Sequence, residues 1–417
     1  MLSWSNSSKQ MKQINPKINK YGTLLSLYLA QSVPMTFFST VMPVIMRLEH
    51  YTLTSIGLLH LVKLPWILKF LWAPMVDKTG GNIPNYKKWI FTSELFYAII
   101  IFSTAFLDLK TDFKLIIFLL FLAFTASATQ DIATDAFAFL ILKKNERSLG
   151  NSMQSAGNFM GTLTGSGILL IVYYYFGWRY LLLALAAFVL LAIIPLYFYK
   201  VSSNNPKEQS QNLIGLKDIF LFFKQKGIGR RVLILMFFYS GLIGILTMLK
   251  PWLVDLGYNT KQIGLLSGIY GPALGAILAV GMGFFIKKYN KRLALLLILI
   301  LAFVTSFYFW WLSHRHPDFI PLLLGVLSIW GVYGMASVFI YTFAMDRIRA
   351  GRAGTDFTIQ IVLTHFGSVI MAVISGKLAH EYGYDGLFLL EIFISLILIL
   401  ILPPLYRKET KILLQSS

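Results

Sequence analysis

Asp131 and Asp135 are the residues of this sequence best placed to do chemistry, because carboxylates four positions apart share one face of a helix. Neighbouring carboxylates repel each other when both are ionised, and burial favours their neutral forms, so one of the two could hold a proton near neutral pH. Such a pair can bind and release protons. The structural alternative is an ion pair of either carboxylate with Lys69, or simple capping at a helix end.

The composition of the chain predicts that these carboxylates lie in a membrane protein. Hydrophobic residues make up 57% of the 417 residues and charged ones 13%, whereas about 25% of an ordinary soluble domain is charged. Apolar stretches of roughly 20 residues, enough to cross about 30 Å of hydrocarbon, recur along the chain. They predict twelve transmembrane spans, at 21–46, 53–76, 89–109, 114–142, 150–176, 178–200, 229–255, 260–286, 291–313, 317–345, 355–379 and 384–406.

The spans form two similar halves. Residues 56–59 recur as residues 263–266, and a set of polar and glycine positions recurs at an offset of 206. Two related bundles that move around a site between them are typical of transporters. The predicted fold is therefore all-α, a polytopic membrane protein with twelve transmembrane helices in two six-helix pseudo-repeats. The recurring pairs are Gln154 and Gln360, Gly161 and Gly367, and Gly177 and Gly383.

The domain boundaries follow from one polar linker. We predict a first six-helix bundle at 1–200, a linker at 201–228 and a second bundle at 229–417. Within the linker, apolar residues at helical spacing predict an amphipathic helix on the membrane surface. These residues are Leu213, Leu216, Ile219, Phe220 and Phe223.

The 37 Lys and Arg residues set the orientation of the chain. Most of them lie in alternate loops on one side of the predicted membrane, so the formal charge of +19 forms no single patch that would bind nucleic acid. Basic loops favour the cytoplasm. We therefore expect a multi-pass protein with both termini cytoplasmic.

Other polar residues inside the spans are candidates because ionisable groups in a membrane are costly. Lys63 and Lys69 place positive charge in span two, and His365 in span eleven has an imidazole suited to gaining and losing a proton. Hydrogen bonding between helices is the alternative role of His365. Glu94 and Glu391 lie near span ends, and we expect them at the membrane interface.

Glycines in span five predict close helix packing. Gly157, Gly161 and Gly165 are spaced four apart on one helical face, and small residues at that spacing let helices approach closely in lipid. We interpret the run as a helix contact rather than a binding feature.

The loop after span two resembles the signature of the major facilitator superfamily, Gly-x-x-x-Asp-Arg/Lys-x-Gly-Arg. The match at 73–81 is partial, because Ala73 and Gly81 replace the first Gly and the final Arg. The resemblance implies that Asp77 and Lys78 latch the two halves on the cytoplasmic side. We group Lys69 with them as a gating residue. An ordinary helix end with one acid and one base is the alternative.

The same resemblance implies which spans surround a substrate. Members of the superfamily place spans one, four, seven and ten around it, and the polar and aromatic residues of those spans are candidate wall residues. With Lys63 they form the predicted substrate-binding set, and Asp131, Asp135 and His365 form the predicted proton-coupling set. The substrate-binding set is Tyr28, Gln31, Lys63, Gln130, Trp330, Tyr333 and Tyr341.

A narrower resemblance is to the family of muropeptide permeases and acetyl-CoA transporters, carried by residues 53–58 and 64–77. Residues 128–135 and 146–154 resemble its siderophore branch, the rhizobactin, pyochelin and legiobactin type permeases. This resemblance implies proton-driven import of an iron-chelator complex across a Gram-negative inner membrane. A muropeptide is the alternative cargo, because lysines in the spans would suit either anionic ligand. A drug exporter or a lipid scramblase is a further alternative.

Several function classes are disfavoured. The chain contains no cysteine, and it has no His-Glu-x-x-His, Gly-x-Ser-x-Gly or Walker sequence, so an enzyme is not expected. The histidines and acid at 314–318 lack a clear third metal ligand. We expect no cofactor and no metal, and we expect a monomer whose partners are membrane lipid, protons and a small-molecule substrate.

Overall fold

The computed structural model describes residues 16–51, 62–200, 214–315 and 317–416, and within these ranges all regular structure is helical. The predicted all-α class is confirmed. The helices are α1 (Pro16–Thr36), α2 (Met42–Leu48), α3 (Leu64–Leu68), α4 (Ala73–Thr79), α5 (Ile83–Thr104), α6 (Phe113–Ile141), α7 (Arg147–Leu163), α8 (Leu169–Ala192), α9 (Ile194–Phe198), α10 (Lys217–Phe223), α11 (Ile228–Phe237), α12 (Ser240–Asp255), α13 (Thr260–Ile263), α14 (Gly271–Lys288), α15 (Lys291–Ser313), α16 (Phe319–Met345) and α17 (Ala353–Ser416).

Eight helical stretches among the described residues are long and apolar enough to cross a membrane. Two of them, Arg147–Phe198 and Ala353–Lys411, contain 52 and 59 residues, far more than the roughly 20 that one crossing needs. Each is interrupted by a glycine with positive φ, Gly177 at φ 74° and ψ −175° and Gly383 at φ 72° and ψ 179°. Only glycine adopts this backbone conformation readily.

The two glycines show the internal repeat in three dimensions. They are the pair that the offset of 206 relates, and their dihedral angles agree within a few degrees. Each long stretch is therefore two helices joined at a glycine. Residues 52–61 of predicted span two lie outside the described ranges, so the full count of twelve spans stays a prediction, as do the domain boundaries.

Buried apolar side chains form separate cores. One lies among residues 33–189 and a second among residues 234–406, with Ala156 and Phe159 of α7 joining the second. A third core mixes residues 24–196 with residues 344–361. The two halves of the sequence thus have largely separate cores and share apolar surface where they meet.

The glycine run of α7 packs against α1, as the sequence predicted. A side chain added at any of the three glycines would collide with α1, so their missing Cβ atoms allow the close approach. The facing pairs are Gly157 with Tyr28, Gly161 with Ser32 and Gly165 with the backbone of Val33.

Both ends of the described chain lie on one face of the bundle, here called the terminal face. Near the start of α1, Lys20 donates to Glu146 at 2.8 Å. The next residue, Arg147, donates to the carbonyl of Met345 at 2.7 Å. Arg347 in turn donates to Glu409 near the end of α17 at 2.8 Å.

The linker helix α10 also lies at this face. Asp218 is buried and accepts a hydrogen bond from Arg352, while Phe220 and Phe223 are exposed. The predicted helix is present, with Leu221 also exposed and Phe222 buried. Its contact with a membrane surface stays a prediction, and Leu213 lies outside the described residues.

Candidate functional site

The middle of α6 carries a buried acidic cluster. Its long apolar sequence makes a continuous helix from Phe113 to Ile141, and Asp131 and Asp135 point into the protein with 4% and 2% of their surface exposed. Because they are four residues apart, both face the same way. They lie well inside α6, so neither caps a helix end.

Asp131 forms a buried ion pair with Lys69, which is the structural alternative that the sequence left open. Lys69 lies in a short 3₁₀ turn between α3 and α4, two helices that each carry a proline in their first turn. This irregular backbone breaks span two and turns the lysine inward. The Lys69 ammonium also lies 4.7 Å from the ring centre of Trp66, a cation–π contact.

Asp135 is held by neutral donors instead. The Tyr28 hydroxyl donates to its Oδ1 at 2.8 Å, and Nε2 of Gln154 donates to the same oxygen at 3.2 Å. Helices α1, α6 and α7 therefore meet at this carboxyl. The two acids sit in different surroundings, one beside a cation and one among hydrogen-bond donors.

Three amide side chains surround the acids. Gln31 donates to Oε1 of Gln130. Nε2 of Gln130 and Oε1 of Gln154 are buried without hydrogen-bond partners among the described residues. Buried amides that lack partners are costly, and these groups are free to bond to a polar ligand.

Aromatic side chains of the second half pack against Phe159 of α7. Trp330 and Tyr333 have ring centres 6.5 Å apart, and Phe159 packs edge-on against both, at 6.0 and 5.9 Å. Tyr239 lies 5.3 Å from Tyr333. The Nε1 of Trp330 is buried with no partner in the described part of the chain. We call these four residues the aromatic cluster.

The sequence missed two members of this cluster. Tyr239 lies at the break between α11 and α12 in span seven, which the superfamily places around the substrate, so that rule could have found it. Phe159 lies in α7, outside those spans, and no sequence signal distinguished it. Tyr341 was expected here and lies nearby, next to Asn158 and 6.4 Å from the ring of Phe357.

Neither His365 nor Lys63 forms a hydrogen bond or an ion pair with the acids in the described part of the chain. The His365 side chain is exposed and feels the charge of Lys69, but no hydrogen bond joins it to Asp131 or Asp135. Lys63 precedes α3, is partly buried and forms no ion pair with any described residue. The predicted roles of both in proton coupling and binding stay predictions.

Asp77 joins the two halves at the terminal face. Its carboxylate accepts hydrogen bonds from the backbone amides of Gly354 and Thr355, at 2.9 and 2.7 Å, and from the Thr355 hydroxyl at 2.6 Å. Tyr86 donates to it at 2.6 Å. The donors from α17 lie in its first turn, where backbone N–H groups lack helical partners. Burial raises the pKa of Asp77 to about 6, against the lowering effect of these hydrogen bonds.

The other predicted gating residues behave differently. Lys78 is exposed and makes no ion pair with a described residue, and Lys69 belongs to the central pair with Asp131 rather than to the terminal face. The sequence missed Arg147, Asn151 and Ser155 of α7, which contact α16. Asn151 donates to Thr342 at 3.3 Å, and the hydroxyls of Ser155 and Ser337 are 2.7 Å apart.

The placement of Glu94 and Glu391 corrects the sequence analysis. Both were expected at the membrane interface because they lie near span ends. The structure buries both inside the bundle, with 1% and 0% of their surface exposed. Position along a span does not determine the direction of a side chain around the helix axis.

The fold and the site define a polytopic helical protein of the transporter type, with a buried polar centre in the first half of the chain. The pattern of the Major Facilitator Superfamily matches residues 24–363, and the chain belongs to that family. It is 24% identical over 383 residues to the anhydromuropeptide permease of Escherichia coli K12, covering 88% of this chain and 76% of the relative. An uncharacterized protein of Haemophilus influenzae is 25% identical over 381 residues, covering 87% and 89%.

A solved structure supports the fold. The crystal structure of a bacterial homologue of the iron transporter ferroportin, in an outward-facing state, aligns with a TM-score of 0.68 at 16% identity. The alignment covers 95% of this chain and 100% of that chain. At this identity the likeness concerns the fold alone.

These comparisons confirm the coarser predictions and leave a finer one without support. The chain is a multi-pass membrane protein of a bacterial transporter family, with a small-molecule substrate, and those relatives that carry a functional name are permeases or transporters rather than enzymes. Nothing in them supports the siderophore branch or an iron-chelator cargo. The relatives favour the muropeptide alternative.

Proposed function

We propose that this protein is a proton-coupled importer of an anhydromuropeptide, or of a closely related sugar–peptide, in the bacterial inner membrane. The observation that carries the proposal is the buried Lys69–Asp131 ion pair beside Asp135, in a chain similar to an anhydromuropeptide permease. A cation and two carboxyls in one buried cluster can bind a proton and an anionic ligand together.

The proposed coupling of proton and ligand follows from the cost of buried charge. With Asp131 ionised, Lys69 is neutralised by its partner and has little attraction for a ligand. A proton taken up by the acidic pair reduces the negative charge beside Lys69, and an ammonium without full compensation in the bundle is costly. A carboxylate of the peptide would restore the pairing. Proton and anionic ligand therefore stabilise each other's binding, which is the requirement for cotransport.

The remaining groups suit the rest of such a ligand. Unpartnered amide atoms of Gln130 and Gln154 match the peptide and acetamido groups. The aromatic cluster offers flat apolar faces and the free Nε1 of Trp330 to a sugar ring. Lys63, half-buried and unpaired in the described ranges, is suited to a second carboxylate.

We further propose that the terminal face is cytoplasmic. Most Lys and Arg residues of the loops lie there, as expected for cytoplasmic loops. The contacts of Asp77, Arg147 and Asn151 close that face. In this state a ligand would reach the central site from the periplasm.

The test is uptake into proteoliposomes of the purified protein under an inward proton gradient. The panel contains an anhydromuropeptide, a ferric siderophore and the same siderophore without iron. We expect accumulation of the anhydromuropeptide alone, and its loss when a protonophore collapses the gradient. Accumulation of the ferric siderophore instead would overturn the proposed cargo, and uptake that persists with the protonophore would overturn the coupling.

A matched pair of variants connects uptake to the site. Lys69→Met removes the paired lysine, whereas Lys78→Met removes an exposed, unpaired lysine of the same segment. We expect transport to be lost in the first and kept in the second. Equal transport by both would show that the ion pair plays no part.

A further inference from the structure

We propose that Glu391 is a second proton-binding carboxyl, located in the second half of the chain and controlled by bending at the α11–α12 junction. This inference deepens the proposed proton coupling and rests on it. It assigns to the second half a proton site separate from Asp131 and Asp135.

The first observation is that the Glu391 carboxyl is buried without a partner. None of its surface is exposed, and neither Oε1 nor Oε2 makes a hydrogen bond within the described residues. The Gly244 amide lies close by, at a geometry that falls short of a hydrogen bond. An ionised carboxylate in such a place is very costly, so this closed state favours the protonated form.

The second observation is that no charged group compensates Glu391. No ionisable side chain of the described residues acts on it electrostatically. The other ionisable groups on the helices packed against Glu391 are exposed or hydrogen-bonded elsewhere. Lys250, Lys377 and Asp385 are exposed, and the Tyr308 hydroxyl donates to the carbonyl of Pro321. Burial, rather than a neighbouring charge, therefore controls the proton of Glu391.

The third observation is the contact with α12. A side chain at Gly244 would collide with the Glu391 carboxyl and with the Ser375 hydroxyl. Ser375 already donates to the carbonyl of Met371 at 2.7 Å. The carboxyl thus sits in a tight space between α12 and two segments of α17, and this space exists only while α12 keeps its position.

The fourth observation is a break in span seven beside that contact. Helix α11 ends at Phe237 and α12 begins at Ser240. Tyr239, at the break, packs against Tyr333 of the aromatic cluster. The backbone can therefore bend between the candidate site and Gly244, as helix breaks commonly allow.

These observations combine into one mechanism. A ligand that displaces Tyr239 bends span seven and moves Gly244 away from Glu391. The carboxyl then meets water, its O–H bond breaks, and the proton passes to water as the carboxylate forms. Closure of the contact reverses the step and favours the protonated acid. Proton release and the separation of Gly244 from Glu391 are thus the same event.

The test uses no transported ligand, so it is independent of the cargo. The chain has no cysteine, and Ser337→Cys places a single thiol at the closed contact with Ser155. Thiol labelling reports opening of the terminal face. We compare its rate from about pH 5 to about pH 9 in this reporter and in the same reporter with Glu391→Gln or Glu94→Gln.

Glu391→Gln mimics the protonated acid. We expect it to reduce the change in labelling rate across this pH range by at least about threefold. Glu94→Gln, which alters an equally buried carboxyl of the first half, should leave it unchanged. Infrared spectra of the reporter should also show a carboxylic acid band that titrates and is missing in Glu391→Gln. Superimposable labelling profiles would overturn the inference, and so would a Glu391 band that is constant with pH.

The outcomes separate this inference from the proposed function. Failure of anhydromuropeptide uptake with a normal Glu391 titration would reject only the cargo. Normal uptake with a constant Glu391 band would reject only the second proton site. If Glu391→Gln fails to fold, the titration of the infrared band in the reporter protein alone decides the question.

Discussion

The backbone amide of Thr355 donates a hydrogen bond of 2.7 Å to the carboxylate of Asp77, joining residues 278 positions apart in the chain. The acid comes from the end of α4, and the donor is in the first turn of α17. An anion at a helix N-terminus accepts N–H groups that no helical carbonyl can reach. One carboxylate therefore holds the two halves together at the terminal face.

We expect Asp77→Asn to open the terminal face. An amide keeps one acceptor oxygen but turns an NH₂ group toward an N–H donor, so at least one hydrogen bond is lost. The expected cost is about 1.5–3 kcal/mol, or roughly a tenfold or greater rise in labelling of a Ser337→Cys reporter. Lys78→Asn, which changes the exposed neighbour, is the control. A labelling rate equal in both variants would contradict the assignment.

The same contact should depend on pH. Burial raises the pKa of Asp77 from 3.8 to about 6 in the closed state, so the closed state binds a proton more tightly than an open state with Asp77 in water. Closure is then most stable at about pH 4 and below, weakens as the pH rises toward about 6, and is constant above that. The total loss is up to about 3 kcal/mol.

Labelling of the Ser337→Cys reporter checks this pH dependence. Divided by the rate for the unfolded reporter at the same pH, which corrects for thiol ionisation, the rate should rise between about pH 4 and about pH 6 and level off above. In Asp77→Asn this pH-dependent rise in the labelling rate should be missing. A falling rate over that range, or the same profile in both proteins, would refute the prediction.

The Lys69–Asp131 pair should be strongly coupled in stability. Either Lys69→Met or Asp131→Leu leaves a buried group of the other charge without its partner, at an expected cost of about 3–5 kcal/mol. The double variant removes both charges and should recover most of that loss while transporting nothing. A double-mutant cycle of thermal unfolding in detergent measures the coupling. Additive losses would argue against a direct pair.

Asp135→Asn should separate folding from coupling. Both hydrogen bonds of Asp135 are accepted by Oδ1, which asparagine retains, so stability should change by only about 1 kcal/mol. The variant cannot take up a proton. We expect ligand exchange across the membrane to persist and accumulation driven by the proton gradient to stop. Accumulation by Asp135→Asn would assign the acid a structural role.

Glycine substitutions test the α1–α7 contact. Gly161→Val would drive a side chain into Ser32, whereas Gly167→Ala points into open space. We expect the first to destabilise the protein by about 1–3 kcal/mol or more and the second to have almost no effect. Thermal unfolding measures both. Similar unfolding temperatures for the two variants would mean that the helices separate without cost.

Much of the site could be predicted from spacing alone. Asp131 and Asp135 were placed on one helical face because the helix repeat fixes the direction of residues four apart, and α6 has both acids buried. The glycine run of α7 and the repeat-related break at Gly177 and Gly383 were also readable. These features depend on local backbone geometry, which nearby residues determine.

The tertiary structure decided which groups meet. The sequence left open whether Lys69 would pair with Asp131, Asp135 or neither, and the 3₁₀ turn between α3 and α4 settles this by turning the lysine toward Asp131. The tertiary structure also brings Phe159 and Tyr239 to Trp330 and Tyr333, and it buries Glu391 against Gly244. Such contacts join distant segments, and the rotation of each helix about its axis is set by packing against its neighbours. Hydrophobic pattern and charge therefore determined the membrane class and the helices, whereas packing alone determined the partners of the buried charges.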